Sequence, residues 1–116
     1  MDDCSKNIEN CLRDFNKILI AVASRYETSE LEILHNKERR YLYVKFLIGL
    51  YLFNKGYRHR EIGRVINADR THVYNIIERA TDIMKSRDKY YDQMKECVKM
   101  ALEDIGETWG VMKKFI

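Results

Sequence analysis

The segment from Lys55 to Arg79 concentrates cations and hydrogen-bonding side chains in a pattern that fits neither a catalytic pair nor a metal site. Its apolar residues recur at helical spacing in two short runs, Ile62–Ile66 and Val73–Ile77, on either side of a tight connection at Asn67–Ala68. A short helix, a turn and a second helix form the helix-turn-helix arrangement, whose second helix enters the DNA major groove. The pattern therefore predicts a unit that binds double-stranded DNA over residues 58–86.

The outward side of the second predicted helix carries groups that suit DNA. Arginine suits the edge of guanine, asparagine suits adenine, and threonine suits a phosphate or a thymine methyl group. Basic residues on or before the first helix are placed to contact phosphates, and the free N–H groups that begin the second helix also favour a phosphate. Tyr74 and Glu78 share the outward side. The candidate DNA-binding residues of this segment are Arg58, His59, Arg60, Arg64, Arg70, Thr71, His72, Asn75 and Arg79.

Two residues carry local signals for this geometry. Asp69 stands where the second helix needs an N-cap, because its carboxylate can accept a hydrogen bond from a free N–H group. Gly63 lies inside the first helix, where glycine costs about 1 kcal/mol relative to alanine. We therefore expect a neighbouring element to approach the chain closely at Gly63.

Charge is distributed unevenly along the sequence. The whole chain carries a formal net charge of +3, yet residues 35–87 hold twelve lysines and arginines against five acidic residues. This central part therefore carries +7, and the two flanks together carry −4. A basic centre between acidic ends indicates a surface that faces a polyanion, although a solvated helical surface would explain the charge equally well.

The other elements are predicted to be helical, because 46% of the 116 residues are hydrophobic and none is proline. Asn7–Arg25 has one apolar stripe, and Ser29 with Glu32 forms a capping box that opens a short helix. Tyr41–Asn54 is apolar nearly all round, which predicts a buried central helix, and Gly56 is placed to end it in a left-handed conformation. The composition indicates one all-α domain.

The second helix of the pair is predicted to continue far toward the C-terminus. Its seam residues follow in steps of three and four from Ile76 to Ile105, as in a heptad repeat. This seam predicts a long C-terminal helix, and its part from Ile83 to Ile105 predicts a homodimer formed through that helix. A terminal turn that folds back is expected from Trp109, Val111, Met112, Phe115 and Ile116. The expected protein is one helical bundle over residues 1–116, with a C-terminal extension over residues 87–116.

An ordered series of short matches adds a family resemblance over roughly residues 18–83. The series consists of Ile20–Ala23, Glu30–Leu34, the basic Lys37–Arg40, Glu61–Arg64 and Asp69–Val73. It resembles the C-terminal DNA-binding domain of DnaA-type chromosomal replication initiators. The resemblance implies a helical bundle with a Trp-repressor-like helix-turn-helix that recognises a short duplex box, in replication or transcriptional control.

The resemblance also implies roles for individual residues. The family's contacts to major-groove bases and phosphates, together with a further exposed recognition-helix position, fall on Asp69, Arg70, Thr71, His72 and Asn75. The family's basic loop, which inserts an arginine into the minor groove, falls near Lys37, Arg39 and Arg40. Val44 replaces the arginine that opens the family's central helix, and Lys45 beside it is the candidate contact there. Arg70 replaces the family's histidine and His72 one of its threonines, so the recognised sequence stays open.

Several classes of protein are not expected. The longest apolar run is far shorter than the roughly 20 residues of a membrane span. The sequence has no basic signal-peptide start and no phosphate-binding Gly-x-x-x-x-Gly-Lys loop. Three cysteines without a C-x-x-C pair indicate free thiols in a reducing compartment. We therefore expect a cytoplasmic protein that is not an enzyme and needs no metal, nucleotide or other cofactor.

Two alternatives stay open. A helical oligomerisation or adaptor module would carry the basic face only incidentally. A protein that binds single-stranded nucleic acid would need aromatic side chains interleaved with basic ones on one face.

The ATPase module of the initiators is absent from this sequence. We therefore expect a stand-alone DNA reader of bacterial, phage or mobile-element origin.

Overall fold

The computed structural model describes residues 3–109, with side chains from residue 7 onward. This stretch folds into six α-helices and contains no β-strand. The helices are α1 (Asp3–Arg25), α2 (Glu30–His35), α3 (Arg39–Asn54), α4 (His59–Ile66), α5 (Arg70–Lys85) and α6 (Asp92–Asp104), with a short 3₁₀ turn at Lys89–Tyr91. The prediction of an all-α helical bundle that contains a helix-turn-helix is confirmed.

Helix α3 is the centre of the bundle because its sequence is apolar on nearly every side. Val44, Leu47 and Ile48 are completely buried, and the helix packs against all five of its neighbours, α1, α2, α4, α5 and α6. The predicted burial of this helix is confirmed. Gly56 follows its end with φ +110°, the left-handed backbone that was predicted there.

Helix α2 begins at the predicted cap. Ser29 Oγ accepts a hydrogen bond from Glu32 N at 3.1 Å. The Glu32 carboxylate accepts a hydrogen bond from Asn36 Nδ2 at 2.7 Å, at the opposite end of the helix from the partner that the capping box predicted. The sequence therefore predicted the start of α2 and its cap, but not the partner of the glutamate.

The prediction of one long helix from residue 70 to residue 105 is wrong. Helix α5 ends at Lys85, and Ser86 follows in extended backbone. Ser86 Oγ accepts a hydrogen bond from Asp88 N, and Asp88 Oδ1 accepts one from Tyr90 N, so these short polar side chains begin a new element. The chain then turns into α6, which packs on α1 and α3.

The break changes the meaning of the heptad-like seam. Most of its residues are buried inside the chain's own core, where α5 and α6 both pack on α3: Ile76, Ala80, Ile83, Met94, Val98 and Ala101. Two helices that pack on one hub give the same apolar spacing as one long helix with an external partner. The residues that predicted a homodimer are therefore occupied within a single copy of the chain.

The segment after α6 returns to the bundle. Trp109 is half-buried against the core, and its carbonyl oxygen accepts a hydrogen bond from Asn54 Nδ2 at 3.3 Å. The other residues of the predicted terminal turn, Val111, Met112, Phe115 and Ile116, lie outside the described residues. Over residues 3–109 no helix combines the length and the apolar character that crossing a membrane requires.

Candidate nucleic-acid interface

The N-terminal half of α5 presents a polar surface to solvent. Val73, Ile76 and Ile77 pack into the core, so helical geometry turns the residues between them outward. This surface, called the recognition face below, consists of Arg70, Thr71, His72, Tyr74, Asn75, Glu78 and Arg79, all of them exposed. These are the residues that the apolar spacing predicted to point outward.

Asp69 caps the start of this helix. Its Oδ1 accepts a hydrogen bond from His72 N at 2.7 Å, as the sequence predicted for an N-cap. The carboxylate brings a negative charge to the place where a phosphate would meet the free N–H groups. A phosphate at this end of α5 would therefore have to be bound by the arginine side chains around it.

A cationic groove of about 510 Å³ lies where α4 meets the start of α5. Its lining residues are Arg58, His59, Arg60, Arg64, Ala68 and Arg70, and none of them is acidic. The acidic residue of the first α4 turn, Glu61, is 3% exposed, and its Oε1 accepts a hydrogen bond from Arg58 N at 2.8 Å. Across residues 7–109 no carboxylate forms an ion pair with Arg58, Arg64 or Arg70. Arg58, Arg64 and Arg70 therefore bring positive charge to the groove that no carboxylate of residues 7–109 pairs with.

The turn between α4 and α5 depends on Gly63. Asn67 adopts the left-handed conformation at φ 59°, and Ala68 N donates a hydrogen bond to Gly63 O at 2.8 Å. A Cβ atom on Gly63 would lie 2.5 Å from Ala68 O and 3.2 Å from Val73 Cγ2. The expected close approach is thus made by the turn backbone and by α5, and it sets the distance between the two helices.

An aromatic stack crosses from α4 to the recognition face. The rings of His59 and Tyr74 are nearly parallel, with centroids 3.8 Å apart and an interplanar angle of 23°. The ring of Phe53, near the end of α3, has its centroid 5.1 Å from that of His59. The Arg70 guanidinium carbon lies 5.9 Å from the centroid of the Tyr74 ring. Three helices thus contribute to one continuous row of side chains that ends at an exposed arginine.

A second groove of about 690 Å³ runs along the other side of α5, against α3. It brings Arg39 of the predicted basic loop together with recognition-face residues His72, Asn75 and Arg79. Unlike the cationic groove, it also contains carboxylates, those of Glu78 and Asp82. The recognition face therefore has cations on both of its long sides, and acidic groups on one.

The predicted basic loop opens α3, and its cations differ in their surroundings. The Arg40 guanidinium lies 3.1 Å from a Glu38 carboxylate oxygen, and its central carbon lies 4.7 Å from the centroid of the Tyr41 ring. Lys37 and Arg39 are exposed, and neither forms an ion pair among residues 7–109. Of the three candidates in this loop, Lys37 and Arg39 are the ones with uncompensated charge.

Lys45 has a structural partner. Its ammonium group donates a hydrogen bond to the carbonyl oxygen of Leu34 at 3.0 Å, in the last turn of α2. Burial lowers the pKa of Lys45 below its ordinary value. The side chain links α3 to the C-terminus of α2. It lies outside the two larger grooves but lines a cavity of about 170 Å³ that it shares with His72 of the recognition face.

An ion cluster around the buried Asp14 holds the segment that leads into α4. Asp14 is 5% exposed, and its Oδ2 accepts a hydrogen bond from Tyr57 Oη at 2.5 Å and lies 3.2 Å from Lys55 Nζ. Lys55 Nζ also lies 3.2 Å from Glu107 Oε1. Burial alone lowers the pKa of Lys55, but hydrogen bonds to Tyr51 and to the two carboxylates outweigh it and raise the pKa. This lysine therefore ties the start of the helix-turn-helix to α1 and to the C-terminal segment.

The described part of the chain offers neither a metal site nor, at Cys11, a reactive thiol. No group of three or more histidine, cysteine or acidic side chains is placed to hold a metal ion there. The Cys11 thiol is completely buried. Its burial, and to a smaller extent the charges of Glu61 and Asp14, raise its pKa to about 12.

The chain matches no protein-family model, no curated protein and no solved structure. The resemblance to the initiator domain therefore stays a prediction.

Contacts between helices were not predictable from the sequence, although most of the residues that make them were. Tyr74 lies on the predicted outward side, and its spacing of four from Arg70 places both on one stripe of α5. The ring of His59 beneath Tyr74 had no such signal, because it reaches α5 only through the turn at Gly63. Lys89 and Tyr90 lie near Arg40 only because the chain breaks after α5.

Proposed function

We propose that this protein is a sequence-specific double-stranded DNA-binding protein that reads the duplex with α5, in the manner that the resemblance to DnaA-type initiators implies. The carrying observation is the recognition face, an exposed polar side of a helix that follows a tight turn, with cations along both of its edges. A duplex presents base edges in its major groove and phosphates on either side. The proposed role is in replication or transcriptional control.

The chemistry of the face fits base edges. Arg70 and Asn75 have the planar, multi-donor groups that pair with guanine and adenine, and Thr71 can contact a phosphate or a thymine methyl group. Glu78 can accept a hydrogen bond from cytosine. We assign base reading to Arg70 and Asn75, because both are exposed on the same stretch of helix.

The cations beside the face fit phosphates. Arg58, Arg60 and Arg64 lie on the α4 side, and Arg39 and Arg79 lie on the α3 side. If these side chains neutralise four to seven phosphates together with their neighbours, log Kd should change with log salt concentration with a slope of about 4 to 6. Phosphate contacts made in this way supply affinity and register, and the helix supplies sequence preference.

Equilibrium binding to labelled duplexes at several salt concentrations tests the proposal. Arg64→Ala should weaken binding to every sequence alike and lower the salt slope by about one. Arg70→Ala and Asn75→Ala should relax sequence preference at single positions. Lys99→Ala is the matched control, because Lys99 is an exposed cation on α6, away from both grooves. Absence of duplex binding at low salt would refute the proposal.

The same experiment separates the alternative function of an oligomerising adaptor. Most of the seam on which a homodimer was predicted is buried within the single chain, so a dimer would need other surfaces. Sedimentation at high micromolar concentration measures the oligomeric state directly. An oligomer without duplex affinity would favour the adaptor, and stronger binding to single strands than to duplexes would favour a single-strand binder.

A further inference from the structure

Arg70 has an aromatic ring beside its guanidinium group. The Arg70 guanidinium carbon lies 5.9 Å from the Tyr74 ring centroid, within the distance of about 6 Å at which a cation is attracted to a ring. The two residues are four apart on one helix, so their side chains meet on the same stripe. The ring therefore offers Arg70 a preferred direction on an exposed surface.

Tyr74 in turn has a fixed partner. Its ring is 48% exposed, which would leave it several orientations if the helix alone positioned it. His59 from α4 covers one face of the ring at a centroid distance of 3.8 Å, and Phe53 from α3 lies behind His59. We call this pair of rings the His59–Tyr74 stack. It connects the exposed arginine to α4 and, through Phe53, to α3.

We propose that the His59–Tyr74 stack positions the Arg70 guanidinium to read a base edge, which makes Tyr74 and His59 specificity-determining positioning residues. The proposal rests on the proposed DNA-binding function and deepens it. An arginine reads guanine by donating two parallel hydrogen bonds to the O6 and N7 atoms, which requires one orientation of its planar group. A guanidinium that sampled every rotamer would lose more conformational entropy on binding a base edge than one already held in a single direction. Binding to a phosphate would not need this fixed direction.

The proposal makes a distinction among the arginines. Arg58, Arg60 and Arg64 share the cationic groove with Arg70, and phosphate attraction needs only their charge. The stack leaves the charge of Arg70 unchanged and restricts only its direction. Disrupting the stack should therefore reduce sequence preference while it leaves affinity for an arbitrary duplex nearly unchanged.

Substitution of the ring tests this expectation. Tyr74→Leu removes the aromatic ring and keeps a good helix former, and Tyr74→Phe keeps the ring without its hydroxyl group. The measurement is the ratio of the affinities for two duplexes, the preferred sequence recovered by selection from a random library and an arbitrary sequence. We expect Tyr74→Leu to lower this ratio by about two- to five-fold, the effect of one exposed cation–ring contact. Tyr74→Phe should retain the wild-type ratio. The salt slope should be the same for all three proteins.

A double-mutant cycle shows whether Tyr74 acts through Arg70. In an Arg70→Lys background, which keeps the charge but not the planar fork, Tyr74→Leu should no longer change the affinity ratio. His59→Leu should reproduce the loss of Tyr74→Leu. Thermal unfolding of each variant measures whether the fold is retained. If the stack acts by positioning Arg70, the midpoint of thermal unfolding should stay close to that of the wild-type protein while the affinity ratio falls.

Each other result would overturn the inference. A loss of preference in Tyr74→Phe would mean that the hydroxyl contacts DNA by itself, and an undiminished effect in the Arg70→Lys background would mean that the ring reads a base directly. An equal loss of specific and random binding with a lower unfolding temperature would mean a structural role only. If the wild-type chain binds duplexes and Tyr74→Leu keeps full preference, only this inference fails. If the wild-type chain binds no duplex, the proposed function fails with it.

Discussion

Replacing Gly63 by alanine should destabilise the protein, although alanine is the better helix former. The gain in helix propensity is about 1 kcal/mol in favour of alanine. The new Cβ, however, would lie 2.5 Å from the Ala68 carbonyl oxygen, and the backbone of Ala68 is held in place by the hydrogen bond from Ala68 N to Gly63 O. Because a backbone atom cannot rotate away as a side chain can, α5 and the turn must move.

The size of the effect follows from these opposing contributions. Overpacking costs about 1–3 kcal/mol, and contact with backbone places Gly63→Ala at the upper end of that range. Subtracting the gain in propensity leaves a net loss of about 2 kcal/mol in the free energy of unfolding. For 116 residues the entropy of unfolding is about 0.24 kcal/mol/K, so the midpoint of thermal unfolding should fall by about 8 °C.

Thermal and urea unfolding followed by circular dichroism measure this change. Gly49→Ala is the matched control, because it adds a Cβ inside α3 whose nearest neighbour is a side-chain methyl group, Ile76 Cγ2, at 3.1 Å. We expect the control to change stability by less than about 1 kcal/mol, since a methyl group can move by a few tenths of an ångström. If Gly63→Ala were as stable as the wild-type protein or more stable, the close contact between α4, its turn and α5 would be refuted.

Three further predictions concern the rest of the bundle. The hydrogen bond from Arg25 lowers the pKa of Asp104 below its ordinary value of 3.8. The Arg25–Asp104 pair therefore stabilises the fold fully above pH 3.8, and this stabilisation is lost as the pH falls through the lowered pKa of Asp104. Asp104→Asn should therefore lose less thermal stability than the wild-type protein between pH ~6 and ~2.5. Tyr57→Phe should lower the free energy of unfolding in urea by about 1.5–3 kcal/mol, because it removes a hydrogen bond to the buried Asp14 carboxylate; an unchanged value would contradict the buried cluster. Cys11 should react with a thiol reagent only after unfolding, because its thiol is completely buried with a pKa of about 12, and rapid labelling of the folded protein would contradict this burial.

Local chemistry explains which parts of the fold were predictable. Ser29 and Asp69 cap their helices through hydrogen bonds to backbone groups three residues away, and Gly56 adopts a conformation that few other residues tolerate. The burial of α3 follows from a sequence that is apolar nearly all round. Each of these features depends on residues that are close together in the chain, so the sequence carries the signal directly.

The wrong prediction of a long C-terminal helix has a physical reason. Apolar residues at steps of three and four satisfy one long helix and two shorter ones that pack on the same hub. Ser86 and Asp88 did carry a local signal for a helix break, since both are good capping residues. The apolar periodicity continues across these two residues, and the prediction followed the periodicity instead of the capping signal.

The composition of the candidate site was partly predictable for the same reason. The outward residues of α5 follow from its apolar spacing alone. The hydrogen bond of Lys45 to the Leu34 carbonyl oxygen could not be predicted in this way, because the two groups meet only when α2 packs against α3. Contacts between helices likewise decide that His59 lies under Tyr74 and that Arg39 lies beside α5.

Selection from a random duplex library with the whole chain tests the central claim most directly. The account predicts that a defined sequence is recovered, that it contains a guanine whose selection is lost with Arg70→Ala, and that its affinity falls steeply with salt. Recovery of no sequence, together with no binding of any duplex at low salt, would contradict the claim that the exposed side of α5 reads DNA.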